Sequence, residues 1–239
     1  MAPSIRPMID GTSTARRNSL EIIPVSNMMS TAFIVVDDNR VMLVDTGAPG
    51  RSEAILDKVK SIGFQPTDVK LIVLTHHHFD HSGSANALRE ATGARIAIHH
   101  LDAPELIRGD RVELTPTRTF ARLLRKIVVR NSIPATMPDI QLTDDEDLAT
   151  LGGIGRTHWT PGHTAGSITI QLADGTLIAG DAISGGAIRP GTALGPMFVT
   201  DRQAAQRSVE WISQTAKSTV YVAHGGPLTA KSIITIQSL

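Results

Sequence analysis

The run Val69-Lys70-Leu71-Ile72-Val73-Leu74 leads directly into Thr75-His76-His77-His78-Phe79-Asp80-His81. The first part is apolar and β-branched, and it has the length of a buried strand. The second crowds His76, His78, Asp80 and His81 into six positions. Side chains alternate along an extended backbone, so His76 and His78 emerge on the same side. Asp80 and His81 come after the strand end and can turn toward a second point. Ionisable groups packed there without partners would carry a heavy desolvation cost. A bound metal removes it, and imidazole with carboxylate is a common ligand set for divalent transition metals. A chain with this stretch is therefore constrained to a fold in which a strand end opens onto a ligand-gathering loop.

Four further landmarks place a ligand-type residue at or just after the end of an expected strand. Asp45 stands in Val44-Asp45-Thr46-Gly47, and His163 in Thr160-Pro161-Gly162-His163-Thr164-Ala165-Gly166-Ser167. Asp181 stands in Ile178-Ala179-Gly180-Asp181, and His224 in Val222-Ala223-His224-Gly225-Gly226-Pro227. Together with His76-x-His78-x-Asp80-His81, these motifs resemble the signature of the metallo-β-lactamase-fold hydrolase superfamily, in its glyoxalase II and lactonase-like, single-domain branch. The resemblance runs from about residue 20 to the C-terminus. It implies an α/β (α+β) fold, a four-layer αβ/βα sandwich with two mixed β-sheets face to face and helices outside. It also implies the ligand sets: His76, His78 and His163 for a first metal, Asp80, His81 and His224 for a second, and Asp181 bridging both. Asp45 would support the metal loop from behind, as the second nitrogen of a ligating imidazole needs a partner. Thr164, with Ser167, would hydrogen-bond the loop or the ligands.

The cofactors expected are two divalent metal ions, zinc first, with manganese or iron as alternatives. The chain has no cysteine, so no thiolate joins the ligands and no disulfide frames the fold. Two ions about 3.5–4 Å apart can share a hydroxide and clamp the attacking and leaving oxygens. The activity implied is attack of that hydroxide on the carbonyl of a small ester, thioester or lactone. Asp80 is the catalytic residue expected, orienting the nucleophile and accepting or returning its proton.

Departures from the family's branches narrow the substrate. Asp181 supplies the bridging carboxylate that the β-lactamase branch lacks, so β-lactam hydrolysis is the alternative and not the first reading. Only fifteen residues follow His224, without room for the helical domain that holds glutathione in glyoxalase II. Ala182-Ile183-Ser184 stands where acyl-homoserine lactonases place a tyrosine. A phosphodiesterase or nuclease of the same fold would want a basic groove, whereas formal net charge is zero. A one-iron redox relative is a further alternative, disfavoured by the complete second ligand set. The partner expected is a small-molecule substrate, with a homodimer compatible and neither nucleic acid nor membrane foreseen. No apolar run approaches the ~20 residues of a membrane span. Met1 to Arg17 has no signal-peptide core, so the default location is cytoplasmic. No motif names a substrate-binding residue.

Residues 1–18 read as an N-terminal arm and 19–239 as one hydrolase domain. Leu20–Ser26, Thr31–Val36 and Arg40–Val44 read as strands, with Asp37-Asp38-Asn39 as a turn. Ser52–Ile62 is expected to be a helix capped by Ser52 and stopped by Gly63. Ala85–Ala91 is a short helix, and Ala94–Ile98 a strand followed by loop residues His99 and His100. His77 should point away from the metals, and His158 should be structural. Ile154–Trp159, Ser167–Leu172, Thr176–Ala179 and Thr219–Val222 are strands of a second half. Asp201 should cap a helix through Gln214, and Pro227–Gln237 closes the chain as a helix or turn. Thr115–Asn131 predicts a helix with Phe120, Leu123, Leu124, Ile127 and Val128 on one face. Arg118, Arg122, Arg125, Lys126 and Arg130 lie elsewhere around it, a solvated basic face on the plainest reading. The alternative is a lid whose arginines attract an anionic substrate.

Overall fold

A computed structural model describes residues 20–26, 29–109, 115–117, 134–186 and 189–236. The expected arm, and residues 118–131 of the expected basic helix, lie outside the described residues. β1 (Glu21–Ser26), β2 (Thr31–Asp37) and β3 (Arg40–Val44) form an antiparallel meander. Its second turn carries Asp38 at φ 55°, a left-handed position that Asp tolerates. β4 (Val69–Val73) and β5 (Arg95–His99) join β3 in parallel. β6 (Thr115–Pro116) lies elsewhere, and β7 (Ile140–Leu142) completes a six-stranded mixed sheet in the order β1-β2-β3-β4-β5-β7.

The second sheet uses β8 (Arg156–Trp159), β9 (Ile168–Gln171) and β10 (Leu177–Ile178). Two short ribbons follow: β11 (Ser184–Gly185) with β12 (Ala193–Leu194), and β13 (Phe198–Val199) with β6. β14 (Thr219–Tyr221) and β15 (Leu228–Thr229) then complete the order β15-β14-β10-β9-β8.

Period-two alternation sorts the side chains into layers. Phe33, Val35, Met42, Val44, Leu71 and Val73 from the first sheet meet Ile168, Ile170 and Ile178 from the second. The intervening residues Ile34, Val36, Leu43, Ile72 and Leu74 face the other way, onto Ile55 and Val59 of the helix Ser52–Ser61 and Leu88 of the helix Ala85–Thr92. Beyond the second sheet, Leu177 and Val220 pack on Val209 and Ile212 of the helix Arg202–Thr215. The result is helices, sheet, sheet, helices, as the resemblance implies. With so few aromatics the core is aliphatic, each fully buried Val, Leu or Ile stabilising it by about 1.5–3 kcal/mol.

Three local expectations are corrected. Arg51, not Ser52, occupies the N-cap of the first long helix, and no side chain caps it there. Thr115–Pro116 does not begin a helix; it pairs antiparallel with β13, whose backbone offers a ladder next to Pro116. After Pro227 the chain forms β15 before a single helical turn, Ala230–Ile233. Asp201 does cap its helix, its side chain accepting from the Ala204 N–H at 3.0 Å. No helix among the described residues is long and apolar enough to cross a membrane.

Candidate metal centre

Strand ends from both sheets deliver the predicted residues to one edge of the sandwich. β4 leads into His76 through Thr75, and the short helix Phe79–Ser82 carries Asp80 and His81. That helical turn brings His81 back beside His76, ring centroids 4.0 Å apart, and turns Asp80 toward His224. The second sheet supplies His163 after β8, Asp181 after β10 and His224 after β14. The two sheets are stitched beside the site, where the Ile168 N–H donates to the Thr75 carbonyl at 3.0 Å.

The side chains gather into three overlapping groups: His76, His78 and His163; His76, His81 and Asp181; and Asp80, His81 and His224. Within each group, one ligand-type atom per residue lies within 4.8 Å of the others. Asp181 stands between the sets. Its Oδ1 is 3.4 Å from His81 Nε2 and 3.3 Å from His224 Nε2, and its Oδ2 is 3.6 Å from His163 Nε2. Asp80 Oδ2 is 3.5 Å from His224 Nε2. His76, His78 and His163 are buried, whereas the His224 side chain keeps 26% of its exposure and Asp80 and Asp181 keep 14%. The Asp80–His224 side is therefore the mouth of the site. The Ser30 hydroxyl donates to the Asp80 carbonyl and holds that turn in place.

Hydrogen bonds on the far side of the His76, His81 and His163 rings decide which of their nitrogens faces inward. His163 Nδ1 is 2.8 Å from the Phe198 carbonyl, which can only accept, so Nδ1 carries the proton and Nε2 presents a lone pair. His76 Nδ1 donates to the Thr75 hydroxyl at 3.1 Å, and that hydroxyl gives its own proton to Asp45. The two inward Nε2 atoms stand 3.2 Å apart, and His78 Nδ1 is 2.9 Å from His163 Nε2. The facing lone pairs of His76 and His163 Nε2 repel unless a cation, or a proton carried by His78 Nδ1, lies among them. His81 Nε2 and Asp181 Oδ1 are buried and face each other at 3.4 Å without a well-formed hydrogen bond. An all-nitrogen-and-oxygen set with these orphaned atoms fits divalent metal ions.

The electrostatics divide the sets. Burial, reinforced by His81 and the other neighbouring rings, pulls His76 well below the usual histidine value. Burial likewise lowers His78 and His163. Burial is the largest influence on His81 and His224 and opposes their charge, but the carboxylates together outweigh it, Asp181 first, with Asp45 and Asp80 at His81 and Asp80 at His224, so both rise. Burial would raise Asp181, yet His224 and His81 drive it well below the usual carboxylate range. Without metal, the first set offers neutral nitrogens and the second holds protons against a carboxylate.

Thr164 hydrogen-bonds its own loop, its N–H donating to Ser167 Oγ at 3.0 Å and its carbonyl accepting from the Gly162 N–H at 2.9 Å, while its hydroxyl donates to Asp102 and not to a candidate ligand ring. Asp102 is a buried group that sequence reasoning missed, because a single Asp after a strand carries no periodic or spacing signal. His77 turns away from the cluster, its Nδ1 2.8 Å from Asp102. His99 stacks on Trp159 with ring centroids 5.9 Å apart, and His158 is held by Gln171 and Asp145. None of the three joins a ligand group among the described residues.

Residues 26–224 match the family model of the metallo-beta-lactamase superfamily. The Bacillus subtilis (strain 168) protein YobT is 30% identical over 215 residues, which are 84% of this chain and 84% of that one. The probable metallo-hydrolase YflN of the same organism is 27% identical over 209 residues, 80% of this chain and 77% of that protein. A hydroxyacylglutathione hydrolase of Albidiferax ferrireducens is 30% identical over 155 residues, 65% of this chain but 47% of that one. Among solved structures, the B3 metallo-beta-lactamase BLEG-1 superposes with a TM-score of 0.66 at 21% identity, over 90% of this chain and 95% of that one. A metallo-beta-lactamase family protein from Thermus thermophilus gives a TM-score of 0.62 at 23% identity, over 89% and 75%. Those two likenesses concern the fold. Matched over most of its length by the family model and by a relative of nearly equal extent, this chain belongs to the metallo-beta-lactamase superfamily and is a metal-dependent hydrolase.

Proposed function

We propose that the chain hydrolyses a small ester, thioester or lactone at a binuclear centre. The observation that carries this reading is the placement of Asp181 between the two histidine sets, within 3.3–3.6 Å of His224, His81 and His163. His76, His78 and His163 would hold one ion, Asp80, His81 and His224 the other, and Asp181 would touch both. When bound, the ions supply Lewis acidity toward a carbonyl oxygen and a nucleophilic water at neutral pH. Zinc suits the set best, with manganese or iron the alternatives.

The chain's own residues do the rest. Asp80, at the mouth, orients the attacking water and accepts its proton on the carboxylate, then returns it to the leaving group. The exposed side of His224 and Asp80 admits the substrate, while buried His76, His78 and His163 keep bulk water from the far side. Ala182 and Ile183, which follow Asp181, are buried in the apolar layer and offer no hydroxyl to a substrate. That supports a compact carbonyl substrate held by the centre itself. The thioester member of the class is supported by the match to a hydroxyacylglutathione hydrolase.

A panel of thioesters, lactones, β-lactams and phosphodiesters, assayed with zinc and after chelation, tests the reading. Chelator-sensitive turnover of a thioester, ester or lactone is the expected result. Turnover confined to β-lactams or phosphodiesters would overturn it.

A further inference from the structure

Asp102 stands at the N-cap position of the helix Ala103–Arg108 but makes no side-chain capping bond there. Its carboxylate is committed elsewhere. Oδ2 is 3.1 Å from the His77 backbone nitrogen, 2.8 Å from His77 Nδ1 and 2.8 Å from the Thr164 hydroxyl. Oδ1 accepts from the Gly166 N–H at 2.6 Å. Two donors thus come from the loop that follows β4 in the first sheet, and two from the loop that follows β8 in the second. His77 sits between His76 and His78, and Thr164 directly follows His163. The Thr164 hydroxyl is itself braced by Ser167 Oγ at 2.7 Å. A Cβ at Gly166 would lie 2.7 Å from the Asp102 backbone nitrogen and from Oδ1, so the close approach requires glycine at that position.

We propose that Asp102 is a positioning residue for the first metal, a buried clamp that sets His163 of one sheet against His76 and His78 of the other. The inference rests on the reading of those three histidines as ligands. A carboxylate suits the task because it only accepts, and here it meets four donors. An amide of the same shape would turn an NH2 group toward at least one N–H or O–H and leave that donor unsatisfied. The two loops would then lose their common anchor, and the ring nitrogens that converge at 2.9 and 3.2 Å would separate.

The test compares full-length wild type, Asp102→Asn, Thr164→Val and a control, Val59→Ala, whose site lies in the buried core away from the centre. Zn(II) affinity is measured by competition with a chromophoric chelator, and the visible spectrum is recorded after loading with one equivalent of Co(II). Unfolding of each metal-free protein gives its stability. Asp102→Asn should bind the first Zn(II) about tenfold to hundredfold more weakly, with altered Co(II) bands. Thr164→Val should move both readouts in the same direction by less, and Val59→Ala should lose stability while keeping wild-type bands. Wild-type affinity and bands in Asp102→Asn, or changes no larger than those of Val59→Ala, would overturn the clamp and leave the ligand reading standing. Should the Asn variant not fold, Thr164→Val carries the same two outcomes. Wild-type protein that takes up no Zn(II) would overturn the ligand reading, and the clamp with it.

Discussion

Asp45 Oδ2 accepts a hydrogen bond from His81 Nδ1 at 2.8 Å. The same carboxylate takes the Thr75 hydroxyl at 3.0 and 2.9 Å, and that hydroxyl receives His76 Nδ1. One buried carboxylate therefore fixes the tautomer of a histidine in each ligand set, directly for His81 and through Thr75 for His76. Asp45 does this from φ 61°, a left-handed conformation that Asp and Asn tolerate better than other residues with a side chain.

Asp45→Asn should keep the backbone unstrained yet leave one donor facing an amide NH2, at a cost of about 1–3 kcal/mol. Both ligand sets are affected, so zinc content after dialysis against a metal buffer should fall, with affinity down by about tenfold to hundredfold. Elemental analysis showing wild-type content at limiting free zinc would contradict this role.

Asp181→Ala removes the carboxylate between the sets but leaves His76, His78 and His163 in place. The variant should retain one tightly held ion per chain where wild type holds two. Hydrolysis of the best panel substrate should fall by about a hundredfold or more, since one ion can no longer share the work of two. Metal analysis and kcat/KM on the same preparation check both parts. Two ions with undiminished turnover would remove Asp181 from its position as bridge.

Metal-free protein should lose stability as pH rises above neutrality. Burial opposes charge on His81 and His224, but the neighbouring carboxylates, Asp181 first, together overcome it and hold both pKa values above the usual one. A histidine raised in the folded state contributes stability that is complete below its unfolded value of about 6.5 and lost as pH rises through the folded value. Asp181 and the lowered His76, His78 and His163 titrate below that window and do not offset the loss. The Tm of chelator-treated protein should therefore decline as pH rises above about 6.5. Zinc loading should abolish the decline, because the cation replaces the protons. A Tm that is flat or rising over that range in chelator would count against the ion pairs.

Gly162 places the His163 loop directly against the helix Arg202–Thr215. Its φ is 126°, and a Cβ there would lie 2.1 Å from the Ala205 backbone nitrogen. Gly162→Ala should cost about 3 kcal/mol or more, from strain and overlap together. Gly50 has φ 80° with nothing within 4 Å of a Cβ, so Gly50→Ala should cost only about 1 kcal/mol. Denaturant unfolding of the two metal-free variants gives the comparison. Equal losses would mean that the approach to Ala205 is not a constraint.

Residue type and local period determined much of this protein without any tertiary information. β-branched runs of strand length marked β2, β3 and β4 within a residue or two of their ends, because alternation and turn residues are local signals. The resemblance of five short motifs named the groups that converge at the site, since each ends a strand and strand ends share one edge of a sandwich. β7 escaped notice because Ile140-Gln141-Leu142 is too short to show a period and exists only through its pairing with β5. The start of the expected basic helix was misread because Thr115–Pro116 is a strand only where β13 lies alongside. The supporting contacts were decided by tertiary structure alone. Phe198 aims His163 through a backbone carbonyl, which any residue could have supplied. Asp102 joins loops 25 and 62–64 positions away. A hydrogen bond between distant residues depends on where folding puts the partner, and a single polar residue carries no record of that partner in its own neighbourhood.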